Sequence, residues 1–432
     1  MKMAKLLACA LCVLSATAGT LRAYQLDYTL QAALNHSDNL NESVAAPISE
    51  TTLIPRLDFN FKEEGSDVQA HATGALEYRD YLGNHFDNEL RGQLAAVVNW
   101  IIAPRRLAFD FEDYAAIQPV NILASNSPGN QQQTNVVTLG PTLNFRLDPT
   151  WYGQADLRVS DSNASRSEDF NSVRVLGGLR GVKELNATDQ LSANLEDQNV
   201  HFTGSSSEPD YDRYSAYARY RSKLADIDVD FALGYSWLDF SHTSSYSGLL
   251  ARGDVAWRAT PQSRFNFGFT RQYSDAANNL VVDPAVLIVN PIGGETSTGT
   301  APVSSEVFLE RRLNAGYLFQ AERYSISVTP YYRKLDYQVD PALNQTAHGA
   351  SFGASYRLRP LWTLALLATE ETRDYNSIAR RDEDLRIDLS LAHQLSRQWG
   401  ARLDLVRNER NSSAAEQGFR ENLAVLTVIF KR

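Results

Sequence analysis

The sequence RFNFGFTRQY at residues 264–273 decides the fold class. Phenylalanine occupies positions 265, 267 and 269, and Asn266 and Gly268 stand between them. Because successive side chains of a β-strand point to opposite faces, this period of two predicts a strand with one apolar and one polar face. The same alternation recurs at residues 107–113, 228–237 and 384–391, so it belongs to the whole chain.

Strand length and loop length separate a soluble sheet from a membrane barrel, because a half-buried soluble sheet alternates in the same way. The predicted strands often reach about ten residues, whereas strands in soluble proteins usually have about 5–6. The predicted connections also alternate in length. Short ones fall at 63–67, 103–106, 148–150, 186–189, 259–263, 359–360 and 396–398, and long ones at 119–134, 161–171, 203–210, 274–304 and 412–418.

Outer-membrane barrels have this asymmetry, with tight periplasmic turns and longer external loops. The sequence therefore predicts an all-β protein, a single transmembrane antiparallel β-barrel of roughly 18–20 strands. The barrel is predicted to occupy residues 24–432, and a barrel of this width leaves a polar, water-filled lumen. Residues 421–430 (ENLAVLTVIF) are predicted to close it by pairing with the first strand, so that no edge is exposed to lipid.

The amino terminus predicts the compartment. Lys2 and Lys5 precede an apolar stretch at residues 6–18, and small residues follow. This is the pattern of a secretory signal peptide over residues 1–23, cleaved after Ala18 or Ala23. The apolar stretch is too short to span a bilayer as a helix, which takes about 20 residues. Together with the barrel pattern, it predicts export to the outer membrane of a Gram-negative bacterium, with membrane lipid as a partner.

Charge and cysteine content exclude several classes of function. The formal net charge is −10, and removal of residues 1–23, which carry three basic residues and no acid, makes it −13. An acidic chain is a poor ligand for phosphate backbones, so we expect no nucleic-acid partner. Both cysteines lie within the predicted signal peptide. The mature chain is therefore predicted to lack disulfides, thiol catalysis and thiolate metal sites.

Several charged and amide side chains fall on the polar positions of predicted strands. In a soluble core each would require a partner, because unpaired buried charge is costly, whereas around a water-filled lumen they need none. We therefore predict that they face the lumen and make the channel polar. The candidates are Asp110, Glu112, Asp228, Asp230, Asn266, Arg386 and Asp388.

The sequence contains no pattern that predicts catalysis. The seven histidines are scattered without metal-ligand spacing, and neither a phosphate-binding glycine loop nor a nucleophile elbow is present. Ser172 and His201 could meet across strands, but such pairs are expected by chance. We expect no enzymatic activity, cofactor or metal.

The longest predicted connection, residues 274–304, contains the apolar stretch VLIV at 286–289. Long external loops can fold inward and constrict a pore. Alternatively, VLIV is the tip of a strand beyond the membrane, or packs on another loop. These two alternatives together are favoured over a plug.

Residues 35–61, NHSDNLNESVAAPISETTLIPRLDFNF, resemble a family of β-barrel porins encoded beside exopolysaccharide export genes, some of them beside PEP-CTERM sorting systems. The similar features are Ser37-Asp38-Asn39-Leu40-Asn41 after the signal peptide and the segment from Thr51 to Pro55. VVTLGPTLNF at 136–145 and ATPQSRFNFGFTRQYSD at 259–275 also resemble the family, and the resemblance spans the mature chain. Lys431 and Arg432 depart from an ending at the terminal aromatic residue.

The resemblance implies an outer-membrane channel for export of an exopolysaccharide, with the polymer and periplasmic or inner-membrane export components as partners. It supplies no catalytic residues. Two other functions stay open: a general or solute-specific diffusion porin for nutrient uptake, and an outer-membrane enzyme.

Overall fold

A computed structural model describes residues 24–204, 208–241, 244–280 and 304–432. The predicted signal peptide and VLIV both lie outside these ranges, so the predictions about them stay predictions. The described chain forms one 20-stranded sheet that closes on itself, which confirms the predicted all-β barrel. The strands are β1 Gln25–Ser37, β2 Glu50–Glu64, β3 Val68–Tyr81, β4 Glu89–Ala103, β5 Leu107–Pro119, β6 Gln131–Arg146, β7 Trp151–Ala164, β8 Ser172–Glu184, β9 Asp189–Phe202, β10 Tyr211–Lys223, β11 Ile227–Phe240, β12 Tyr246–Thr260, β13 Ser263–Ser274, β14 Phe308–Gln320, β15 Tyr324–Tyr337, β16 Gln345–Arg359, β17 Trp362–Tyr375, β18 Arg380–Gln394, β19 Trp399–Ser412 and β20 Phe419–Lys431.

Each strand pairs antiparallel with its neighbours in sequence, and β1 pairs with β20 from Thr29↔Lys431 to Ser37↔Leu423. The last strand therefore closes the barrel, as predicted from its apolar residues. One short helix, α1 (Ala276–Leu280), follows β13. Within the described ranges, no helix is long and apolar enough to cross a membrane.

The connections define two ends of the barrel. The short-turn end holds the two chain termini of the barrel and the tight turns after the even-numbered strands, and the long-loop end holds the other connections. Three connections of seven or more residues, at 38–49, 82–88 and 338–344, were not among the predicted loops. The mixed charges of DYNSIARRDEDL at residues 374–385 predict an external loop, but only residues 376–379 lie between strands. Residues 380–384 are all charged, which is typical of a solvated loop, yet they belong to β18.

The inner and outer faces of the wall follow from one contact and the strand register. Arg174 on β8 forms an ion pair with Asp275, which follows β13, so the side chain of Arg174 points into the barrel. Residues directly opposite each other on paired strands point to the same face. The register therefore carries this assignment around the whole wall, from Arg174↔Val200 and Val200↔Tyr211 onward.

The outer face carries an apolar belt. Phe267, Ile387 and Leu389 lie on it and are solvent-exposed in the isolated chain. Trp100, Trp151, Trp362 and Trp399 also lie on this face, each at the end of its strand nearest a short turn. Aromatic residues at such a level form the girdle where a barrel meets the membrane interface.

The segment that carries the family resemblance holds the seam between β1 and β20. The Ser37 hydroxyl donates to the Glu421 carboxylate at 2.6 Å, and Asp38 accepts from the backbone and side-chain amides of Asn422. The Asn39 amide donates to the carbonyls of Ser43 and Arg420. These polar groups therefore extend the closure beyond the last backbone pair.

Candidate functional site: the lumen and its two ends

All seven candidate residues from the sequence lie on the inner face of the wall, by the register that runs from Arg174. They do not form one cluster. Asp110 and Glu112 are on β5, Asp228 and Asp230 on β11, Asn266 on β13, and Arg386 and Asp388 on β18. They are thus spread around the wall, and each has to be considered with its own neighbours.

Asp110 is the centre of a polar network that joins four strands. Its carboxylate accepts from Asn99 on β4 at 2.5 Å, from Thr142 on β6 at 2.6 Å, and from Arg158 on β7 at 2.5 Å. Gly140, which stands opposite Asp110, leaves no space for a side chain, because an added Cβ there would lie 1.8 Å from the Leu157 carbonyl oxygen. Arg158 also donates to the free carbonyl of Pro141 at 2.9 Å.

Four of the other candidates also have partners. Asp230 accepts two hydrogen bonds from Arg219, at 2.6 and 2.5 Å, and a third from Arg221 at 3.0 Å. Arg386 donates to Asn408 at 3.0 Å and lies 3.7 Å from Asp388, while Asp388 accepts from Ser390. Glu112 accepts from Tyr114 at 3.2 Å.

The expectation that lumen charges need no partners is therefore wrong for five of the seven residues. Inward-facing side chains of adjacent strands pack closely and partly bury one another. Charged groups among them are shielded from water and therefore pair with each other. Asp228 and Asn266 fit the expectation. Both lie on the half of the wall nearer the short-turn end, are exposed, and have no side-chain partner among the described residues.

The end of the β13–β14 hairpin leaves the wall and leans into the barrel. β13 pairs with β12 only as far as Ala251↔Arg271, whereas its pairing with β14 continues to Ser274↔Phe308. Tyr273 and Leu309, which alternation alone would place on the outer face, are buried against inner residues of β9–β11. These include Tyr211 and Leu238.

Asp275 fastens this hairpin end to the wall. It is fully buried, and its carboxylate accepts from Arg174 at 2.7 Å and from the Tyr211 hydroxyl at 2.5 Å. It also accepts from the backbone amides of Ala277 and Asn278. Burial acts to raise the pKa of Asp275, but the Arg174 charge and these hydrogen bonds outweigh it and hold the pKa below its usual value.

Helix α1 carries the chain across the lumen. Its apolar residues Ala276, Ala277 and Leu280 pack against Ala95, Tyr114 and Val136 on β4–β6, and against Phe170 in a loop. These strands lie on the opposite side of the barrel from β13. We call residues 271–280 the strap. The strap narrows the lumen at the long-loop end, so residues 274–280 fold inward, whereas the alternatives predicted for VLIV stay predictions.

A second connection also reaches inward. In the β5–β6 loop, the Leu123 carbonyl accepts from Arg380 on β18 at 2.6 Å. The backbone amide of Asn126 donates to Glu42 in the β1–β2 loop, also at 2.6 Å. The long-loop end is therefore tied together by contacts that join distant strands.

Carboxylates from four loops meet at this end. Burial raises the pKa of Glu208 to about 8, and the charges of Glu306, Asp169 and Asp340 add to the effect. Burial also raises the pKa of Glu306 to about 7, although a hydrogen bond from the Asp340 backbone amide at 2.9 Å acts in the opposite direction. Among the described residues, no such group has a geometry that could hold a metal ion.

Sequence reasoning missed Arg174, Tyr211 and Asp275. Arg174 and Asp275 are 101 positions apart in the chain, and each reads as an ordinary polar residue in its own segment. The conjectured pair of Ser172 and His201 is excluded by register. Val173 stands opposite His201, so Ser172 and His201 point to opposite faces of the wall.

The polar lumen, the apolar outer belt and the girdle are the features of a membrane channel. A sequence model of the family described as "Putative beta-barrel porin 2" matches residues 339–432. That match covers β16–β20, whereas the motifs behind the resemblance lie nearer the amino terminus. No curated protein matches the sequence.

Solved structures similar to the chain include a mutant of the ferric enterobactin receptor PfeA of Pseudomonas aeruginosa, at 10% identity and a TM-score of 0.46. That similarity covers 95% of this chain and 81% of the receptor. The FrpB iron transporter of Neisseria meningitidis is 10% identical with a TM-score of 0.44, and the similarity covers 94% of this chain and 82% of the transporter. The siderophore receptor PirA of P. aeruginosa is 12% identical with a TM-score of 0.44, and the similarity covers 95% of this chain and 81% of the receptor. No functional argument follows from these values. The described chain is a porin-like β-barrel channel of the outer-membrane type, and its residues 339–432 match a β-barrel porin family.

Proposed function

We propose that this channel is an outer-membrane conduit for an exopolysaccharide, which it conducts without chemical change. The observation that carries the proposal is a track of small, neutral polar residues on the inner face of β13–β16. We call it the polar track; it consists of Asn266, Gly268, Asn314, Gly316, Ser325, Ser327, Thr329, Gly349, Ser351, Gly353 and Ser355.

Such a surface suits a moving sugar chain. Hydroxyl and amide groups exchange hydrogen bonds with sugar hydroxyls, and each such bond contributes only about 0.5–1.5 kcal/mol net. Two larger side chains share this face: Leu318, and Tyr331, whose ring lies over Gly349. The family resemblance at residues 35–61 supports the same function, because it points to channels encoded beside exopolysaccharide export genes.

The test is deletion of the gene in the producing bacterium, followed by separate measurement of surface polymer and total polymer. Loss of surface polymer with continued synthesis, restored by the wild-type gene, is the expected result. A strain with unchanged surface polymer and a growth defect on one carbon source would instead identify a diffusion porin for uptake.

A further inference from the structure

Three arginines lie on the inner face near the polar track, close to the short-turn end of the barrel. Arg258 on β12, Arg264 on β13 and Arg357 on β16 are each within a few residues of a short turn, and all three are exposed. We call them the mouth arginines. They face the lumen where it opens at the short-turn end.

Arg258 and Arg264 stand directly opposite each other on paired strands. Like charges in this position destabilise a sheet. Arg258 donates to the Ala225 carbonyl. Among the described residues, no carboxylate forms an ion pair with any of the three mouth arginines, although Asp228 and Asp254 lie on the same face nearby.

The lack of an ion-pair partner distinguishes the mouth arginines from other inward-facing arginines of the wall. Arg158, Arg174 and Arg219 each have a carboxylate within 2.5–2.7 Å. A guanidinium that already holds a carboxylate has little capacity for another anion, whereas an unpaired one presents a planar set of donors that matches carboxylate geometry. The chain as a whole is acidic, with a net charge of −10, whereas the mouth arginines place positive charge on the inner face at this end.

We infer that the mouth arginines bind carboxylate groups of an acidic polysaccharide as it enters the polar track. This inference rests on the proposed function and adds the chemical class of the substrate. The arginines attract the polyanion to the opening at the short-turn end, and the neutral track then lets it move without being held at every step.

The experiment measures the block of ion current through the purified full-length barrel in planar bilayers. The probes are oligogalacturonate, in which every sugar carries a carboxylate, and neutral dextran oligomers of the same length. Oligogalacturonate is expected to block the wild-type channel at concentrations at least tenfold lower than dextran. Increasing salt should reduce this advantage, because screening weakens exposed charge interactions.

The variant R258Q/R264Q should lose the preference for oligogalacturonate, and R258K/R264K should keep part of it. The matched control is R105Q/R106Q, which removes two exposed arginines from the β4–β5 turn at the same end of the barrel. This control should keep the full preference. Heat-modifiable migration on gels checks that each variant is folded, and the salt dependence of the wild type tests the inference without any variant.

The possible failures are distinguishable. Equal block by both probes, or an unchanged preference in R258Q/R264Q, would overturn the acidic substrate and leave sugar passage intact. Block by neither probe would contradict the proposed function itself. If neither probe acts and the arginines instead retain an acidic periplasmic protein, the cluster is a docking site and the inference is wrong.

Discussion

The two ends of the lumen use charge in different ways. At the long-loop end, Asp275 is buried with Arg174 and Tyr211, and loops from distant strands are joined by hydrogen bonds. At the short-turn end, Arg258, Arg264 and Arg357 are exposed on the inner face, and no described carboxylate pairs with them. The charged residues at both ends lie on the inner face of strands or, in the case of Asp275, in the strap.

An inward charge in this barrel therefore has one of two roles. Where side chains from several elements crowd together, charges are desolvated and serve mainly to fix the structure. Where the wall faces open water, charges are free to interact with whatever passes. Structural charges are therefore distinguished from candidate transport charges by whether they have an ion-pair partner, more than by their position on the inner face.

The comparison requires that the wall separates lipid from water, and the largest effect is expected from breaking that separation. Phe267 lies on the outer face and is 49% exposed, whereas its neighbour Asn266 lies on the inner face. Phe267→Arg should cost about 2–4 kcal/mol if it lies near the bilayer midplane, and impair assembly. Asn266→Arg should fold normally. Heat-modifiable migration of the two variants measures this, and equal effects would contradict the in/out assignment.

The strap supplies the next largest effect. Asp275→Ala leaves Arg174 buried without its carboxylate, and breaking such a pair typically costs about 3–5 kcal/mol. The strap should then detach from the wall, and single-channel conductance should rise. The double variant R174Q/D275N, which keeps the net charge, should have a smaller effect. Conductance that stays at the wild-type value in Asp275→Ala would mean that the strap does not limit the pore.

A pH effect should sharpen the contrast at the long-loop end. The raised pKa values of Glu208 (about 8) and Glu306 (about 7) mean that the folded loops bind protons more tightly than the unfolded chain. Stability from these groups is therefore greatest at low pH and falls as pH rises through 7 and 8. Hydrogen exchange of residues 208–210 and 304–307, corrected for intrinsic rates, should be slower at pH 6 than at pH 8.5. E208Q/E306Q should reduce this difference, and an undiminished difference would contradict the assignment.

Much of the wall could be predicted from sequence, because alternation is local and each strand displays it. Phe265, Phe267 and Phe269 define an outward face without knowledge of any neighbour. The apolar positions of residues 421–430 likewise predicted the closing strand. Loop length alternates along the chain, so the two ends of the barrel were also visible before the structure.

The strap and the partners of lumen charges could not be predicted in this way. Tyr273 continues the outward alternation of β13, yet it is buried, because the hairpin leaves the wall beyond Ala251↔Arg271. The contact between Arg174 and Asp275 depends on the path of a loop across the lumen, which no local pattern records. The mouth arginines were overlooked for a related reason, since their distinguishing feature is the absence of a carboxylate partner among the described residues.

The reversal potential of single channels in a salt gradient tests the division of charge most directly. R258Q/R264Q is expected to shift the reversal potential toward cation preference while the conductance changes little. R174Q/D275N is expected to change the conductance and to leave the reversal potential close to the wild-type value. If R258Q/R264Q leaves ion preference unchanged and the strap variant alters it, the charges at the two ends do not have the separate roles assigned to them.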